Sequence, residues 1–128
     1  MTGLLDTHVL LWAVFEPHRL SRRARAFIES PDSQLLLSPV SIWEIITKVS
    51  TGKLTLFMPV TGFIAAQQGL LRLTSLPLTM EHALALEGLP WHHKDPGDRL
   101  LLAQAMREQV PVVSSDERFA RYPVQVLW

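Results

Sequence analysis

Along the whole chain, short apolar runs alternate with longer segments of helical pattern, and this alternation is the strongest constraint on the fold. Residues 3–5, 34–37 and 110–113 are short runs of strand character, and 123–128 forms a last extended segment. Between them, residues 9–14, 21–29, 61–73 and 79–87, and the segments opened by Ser38-Pro39 and by Asp95-Pro96, carry helical composition or an i, i+3, i+4 apolar stripe. Strand and helix in turn predict an α/β fold with a central, mainly parallel sheet between helical layers. Residues 75–78 are expected to be extended and residues 117–122 to form a short helix. The 128 residues fit one domain spanning 1–128, and no linker or internal repeat interrupts them.

Local signals set the element ends. Ser38-Pro39 opens a helix with Pro in the first turn, and Thr51-Gly52 closes it. Asp95-Pro96 opens another, with Asp as N-cap. Ser41 and Glu44 have capping-box spacing. No run approaches the ~18 apolar residues that span a bilayer, and the first residues meet Asp6 without a basic segment. A soluble cytoplasmic protein is expected.

Four acids fall at one kind of place. Asp6 follows the first strand and Asp116 follows the strand at 110–113, while Glu44 and Asp98 lie early in helices that follow other extended segments. In an open parallel sheet, strand carboxyl ends and the following helix N-termini share the edge where ligands bind. Each acid alone has an ordinary use as a cap or surface residue. Together they repel one another, and a divalent cation relieves that repulsion. Oxygen donors suit Mg²⁺ or Mn²⁺, and a cation so held activates water for attack on a phosphodiester.

Other chemistries are excluded by what is missing. The chain has no Cys, hence no thiolate zinc site and no Cys nucleophile. No GxxxxGK[ST], GxGxxG or GxSxG occurs. A haloacid-dehalogenase-like site needs a second Asp two residues after the first, where His8 stands. A receiver domain needs a late lysine, and the last one is Lys94. Twelve basic residues balance twelve acids, so bulk charge does not draw the chain to nucleic acid.

Four blocks in order carry a resemblance. Leu4-Leu5-Asp6-Thr7-His8-Val9-Leu10-Leu11-Trp12, Ser38-Pro39-Val40-Ser41-Ile42-Trp43-Glu44-Ile45, the stretch from Leu89 to Ala105 that holds Pro90-Trp91-His92-His93-Lys94-Asp95-Pro96-Gly97-Asp98-Arg99, and Val113-Ser114-Ser115-Asp116-Glu117-Arg118-Phe119 resemble PIN-domain ribonucleases of the VapC toxin type. The resemblance implies an α/β/α fold with an acidic pocket that binds Mg²⁺, or Mn²⁺ in its place, and cuts RNA. Carried over by position, Asp6, Glu44, Asp98 and Asp116 match the acidic quartet, with Asp6 and Asp98 as the principal metal ligands. Asp95 matches a further acid with a supporting or capping role and Ser114 a small polar position that orients the site, while Arg99, beside Asp98, is read as a supporting or substrate-facing residue. It also implies a small VapB- or Phd-like antitoxin, laid as a helix in an apolar groove near the helices at 42–51 and 61–73, and a homodimer.

This chain departs from the family pattern in carrying Gly97 where a bulky apolar residue is usual, which loosens the metal site or widens the pocket. Its neutral charge leaves RNA attraction to local cations: Lys48, Lys53, Lys94 and Arg99, with Arg22, Arg23 and Arg25 read as a solvated face. Trp91 is read as an RNA contact, Trp12 and Trp43 as packing, and His92-His93 as structural or substrate-facing. His8 is read as a surface or hydrogen-bonded core histidine. The alternatives are a PIN-type nuclease of RNA processing or DNA cleavage, and a silent interaction module whose acids are only caps. A metal-induced thermal shift separates the last from the others.

Overall fold

The computed structural model describes residues 1–128 as five strands and six α-helices. The strands are β1 (Thr2–Leu5), β2 (Gln34–Leu37), β3 (Leu73–Ser75), β4 (Val112–Val113) and β5 (Val126–Leu127). The helices are α1 (Thr7–Phe15), α2 (Arg22–Glu29), α3 (Pro39–Ser50), α4 (Val60–Leu70), α5 (Met80–Ala85) and α6 (Pro96–Glu108). The sheet runs β3-β2-β1-β4-β5 and every pairing is parallel. The chain builds outward from β1 through β2 to β3, then returns to the other side of β1 for β4. The crevice between β1 and β4 is therefore the switch point, where a parallel sheet opens to a ligand. No helix is long and apolar enough to cross a membrane.

Side-chain alternation sorts the core into two layers. Leu5, Leu35, Leu37 and Val113 meet Val9, Leu10, Phe27, Ile45 and Phe63 on one face. Leu4, Leu36 and Val112 meet Leu101, Leu102, Ala105 and Phe119 on the other. Neighbouring residues of one strand feed opposite layers, which is why these strands read as unbroken apolar runs.

Three expected boundaries move. The helix expected over 61–73 ends at Leu70, because Arg72 turns into the left-handed region at φ 53°. Leu73 is thereby freed to pair with Leu35, and the strand expected over 75–78 lies two residues earlier, ahead of Pro77, which has no N–H to give a ladder. The segments at 110–113 and 123–128 shrink to two-residue strands, since Pro111 and Pro123 limit pairing in the same way. Residues 117–122 form a 3₁₀ turn over Glu117–Arg121. The cap of α3 is Ser38, whose Oγ accepts from Val40 N at 3.0 Å, so the Ser41–Glu44 capping box does not form.

Candidate active site

Asp6 emerges from β1 almost fully buried, 3% exposed. Its Oδ1 caps α1 by accepting from Thr7 N at 2.7 Å. Its Oδ2 accepts from Ser114 Oγ at 2.7 Å, across the crevice from the end of β4. His8 Nδ1 stands 3.3 Å from the same oxygen, and its Nε2 meets Ser115 Oγ at 2.8 Å. Ser114 Oγ in turn accepts from Asp116 N at 3.0 Å. One buried hydroxyl thus ties together the two acids that flank the switch point. Capping and site roles coincide in Asp6.

Asp116 caps the 3₁₀ turn by accepting from Arg118 N at 2.9 Å. The Arg118 side chain also grips it with both prongs, Nε to Oδ1 at 3.0 Å and Nη2 to Oδ2 at 2.7 Å. These bonds hold the Asp116 carboxyl below its ordinary range, with burial opposing them, and raise Arg118 correspondingly. Arg118 Nη2 also comes within 3.7 Å of Asp98 Oδ2. No motif singles out Arg118, although a position two residues after a capping acid is where such a fork reaches back.

Asp98 lies in the first turn of α6, where Asp95 Oδ1 caps the helix by accepting from Asp98 N at 2.8 Å. Burial, then the charges of Asp6, Asp95, Glu44 and Asp116, push its carboxyl up to about 8. Its nearest support is His93 Nε2 at 3.2 Å. His93 is buried, and its Nδ1 meets Tyr122 Oη at 2.7 Å. Burial and the nearby Arg118 charge push the His93 pKa down. The structural reading of His93 therefore acquires a specific content: the ring orients Asp98. His92 packs edge-on against Tyr122.

Glu44 reaches the group from α3. Its stripe neighbours suggest an outward-facing residue, yet it is half-buried, and its Oε1 is buried with no hydrogen-bond partner. Burial first, and Asp6 second, raise its pKa. Gly97 explains how it fits. A Cβ at position 97 would stand 2.6 Å from Glu44 Oε1, so the missing side chain makes room for the carboxylate. Of the two effects expected of Gly97, the structure displays the spatial one; its φ is not in the left-handed region.

Arg99 is not a free cation facing RNA. It is 4% exposed, and its guanidinium donates to the carbonyls of Pro90 at 2.7 Å and Leu89 at 3.1 Å. It also reaches Tyr122 Oη at 3.4 Å and lies 3.7 Å beneath the Trp91 ring. It pins the loop that leads to Asp95, and through Tyr122 and His93 it stands behind Asp98. Trp43, expected to pack, is half-exposed, whereas Trp12 packs against His8 and Trp128.

The arrangement gathers Asp6, Glu44, Asp98 and Asp116 into one electrostatically coupled group. As the side chains stand, no three Asp, Glu or His residues are set to ligate an ion; Arg118 pairs with Asp116, and Ser114 Oγ and Thr7 N donate to Asp6. The donor set is nonetheless all oxygen, carries excess negative charge and leaves Glu44 Oε1 unpartnered. Those properties fit a hard divalent cation.

A parallel α/β sheet with carboxylates gathered near its switch point defines the class of fold and site, and comparison with known proteins gives the family. The PIN-domain family matches residues 3–125. Ribonuclease VapC22 of Mycobacterium tuberculosis is 32% identical over 118 residues, 91% of this chain and 88% of that protein. The fold is similar to VapBC2 from Rickettsia felis bound to a promoter DNA fragment, with TM-score 0.73, 16% identity and coverage of 98% and 97%. It is also similar to VapBC-1 from nontypeable Haemophilus influenzae, with TM-score 0.68, 14% identity and coverage of 98% and 96%. The chain belongs to the PIN-domain family, in its VapC-type branch.

Proposed function

We propose that this chain is a divalent-metal-dependent endoribonuclease, the toxin of a type II toxin–antitoxin pair. The observation that carries the reading is the coupled carboxylate quartet at the β1/β4 crevice, with Glu44 and Asp98 held toward protonation by burial and by their acidic neighbours. Similarity to a VapC ribonuclease over nine-tenths of the chain supports RNA as substrate.

Asp6 and Asp98 are the principal ligands for Mg²⁺, with Mn²⁺ as a substitute, and Glu44 and Asp116 complete the set. When bound, such an ion supplies Lewis-acid activation of water and neutralises charge on the phosphodiester. The chain's own residues prepare for this. Ser114 and Thr7 fix the Asp6 carboxylate, His93 orients Asp98, and Arg118 compensates Asp116 until the cation takes over. To hold such an ion, Asp98 would have to be in its carboxylate form.

A VapB- or Phd-like antitoxin is the expected partner, since the similar structures from Rickettsia and Haemophilus are VapBC assemblies. A cavity of about 310 Å³ beside α1, lined by Leu11, Trp12, Phe15, Leu54 and Phe57, suits the apolar face of a helix. Phe57 there is wholly exposed. For the homodimer, Met80 and Leu84 offer an exposed i, i+4 apolar pair on α5. The cytoplasm is the compartment in which such a pair acts on RNA.

The test is cleavage of a labelled total-RNA pool by the purified chain with Mg²⁺, Mn²⁺ or EDTA, beside Asp6→Asn and Asp98→Asn. Discrete, metal-dependent products absent from both variants are expected. A folded, antitoxin-free chain that neither cuts RNA nor shifts its melting with Mn²⁺ is the silent module instead.

A further inference from the structure

Lys48, Lys53 and Trp43 lie outside the carboxylate quartet, yet the fold brings them to one place beside it. A cavity of about 230 Å³ opens next to Glu44, with Trp43, Thr47, Lys48, Lys53 and Gly97 among its walls. Glu44, Thr47, Lys48 and Thr51 are spaced i, i+3, i+4, i+7 on α3, so the quartet's carboxylate and the Lys48 ammonium share one helix face a turn apart. Gly97 keeps the cavity open on its far side, because a Cβ there would stand 3.3 Å from Trp43 Cζ3 as well as striking Glu44.

The donors in this cavity are unspent. Neither Lys48 nor Lys53 is ion-paired, although Arg19, Arg25, Arg107 and Arg118 all are. The threonine hydroxyls are committed to the helix, Thr47 Oγ1 donating to Trp43 O and Thr51 Oγ1 to Thr47 O, each at 2.8 Å. The wall also carries the Glu44 and Asp95 carboxylates; what it offers an anion is the ammonium groups of Lys48 and Lys53, beside Trp43, a residue 52% exposed. A ligand that fits carries an anion and a flat π-face, and it continues into the acidic crevice. A nucleotide of single-stranded nucleic acid has all three properties.

We propose that this cavity is a subsite for the nucleotide adjoining the scissile phosphodiester, its phosphate on Lys48 and Lys53 and its base against Trp43. The proposal rests on the ribonuclease reading and adds to it the part of the surface that grips the strand. It also explains how a chain of zero net charge holds RNA: the positive charge is local and sits one helical turn from the carboxylates.

The experiment measures binding of a fluorescently labelled, sequence-randomised single-stranded RNA of twelve nucleotides by anisotropy, from 50 to 200 mM salt. It is paired with steady-state cleavage of the same pool. Lys48→Ala with Lys53→Ala is expected to flatten the log–log salt dependence by about 0.7, the slope of one phosphate contact on a single strand. Trp43→Leu is expected to weaken binding about tenfold without changing the salt slope. Both are expected to act on KM, with kcat within about twofold of the unmodified chain. Lys53→Ala alone is the cleaner variant, since Lys53 lies beyond α3 and leaves Glu44's own helix intact. If the unmodified chain cuts RNA but these variants bind it unchanged, the subsite is wrong, the nuclease reading stands, and the cavity belongs to a protein partner. If the unmodified chain neither binds nor cuts RNA, the nuclease reading fails and the subsite falls with it.

Discussion

Asp6 and Asp116 leave the sheet at β1 and β4, and each of their carboxylate oxygens has a donor: Thr7 N and Ser114 Oγ for one, the Arg118 backbone and side chain for the other. Glu44 and Asp98 arrive from α3 and α6 and are less fully satisfied, with Thr7 beside Glu44 and Arg118 Nη2 3.7 Å from Asp98 Oδ2. Glu44 Oε1 has no partner, and Asp98 has one histidine at 3.2 Å. The sheet half satisfies itself in the folded chain. The helix half is held by the surrounding packing against its own electrostatics, which protonation or a bound cation relieves. A site divided in this way is rigid where it must position a ligand and unsatisfied where it must capture one.

Substitutions at one residue of each half separate the two most sharply. Both Asp6→Asn and Asp98→Asn are expected to lower RNA cleavage by at least about a hundredfold, the scale on which loss of one preorganised charge-stabilising group is felt. Their stabilities are expected to diverge. Asp6→Asn keeps the side-chain volume but weakens a satisfied hydrogen-bond set, for a loss of about 1 kcal/mol. Asp98→Asn removes a carboxyl that the fold strains to ionise, so the metal-free protein is expected to melt higher than the unmodified chain above pH 7. Thermal denaturation of the two variants in EDTA checks the divergence.

The pH dependence follows from the same asymmetry. Asp98 titrates at about 8 in the folded chain against an ordinary value of 3.8. A group whose folded pKa is raised contributes its full stability below its unfolded pKa and loses it progressively as pH rises from there to the folded value. Metal-free stability is therefore expected to decline between about pH 4 and pH 8, with Glu44 adding to the decline at the acid end. Saturating Mn²⁺ is expected to flatten the curve. A metal-free stability that rises steadily over this range would contradict the split.

Smaller effects probe the sheet half. Ser114→Ala removes the hydroxyl shared by Asp6 and Asp116, and activity is expected to fall about 10- to 100-fold, as when a residue orienting a metal ligand is lost. Arg118→Gln is expected to tighten Mn²⁺ binding a few-fold, because the half-exposed arginine competes for Asp116 with an energy on the scale of ~1 kcal/mol or less. Calorimetric titration of both variants gives the comparison.

Much of this was legible in the residues. Unbroken apolar runs at 34–37 and 110–113 announced buried parallel strands, and the acids after strands and early in helices marked the binding edge before any geometry was known. What escaped has physical reasons. The end of α4 hangs on one left-handed residue, Arg72, which carries no glycine signal. Glu44 sits opposite an apolar stripe and so looks solvent-facing, because its burial comes from α6 and from the absent side chain of Gly97. The supporting roles of His93 and Arg118 and the inward turn of Arg99 depend on which loop folds over which, and pairwise spacing along the chain does not encode that.

The account turns on whether the helix half is kept protonated until a cation arrives. Mn²⁺ titration by calorimetry at pH 7, in two buffers of different ionisation enthalpy, measures binding and the protons released together. Binding with release of close to one proton is expected, with loss of that proton release in Asp98→Asn. No binding heat in either buffer, or binding with the same proton release in Asp98→Asn as in the unmodified chain, would contradict it.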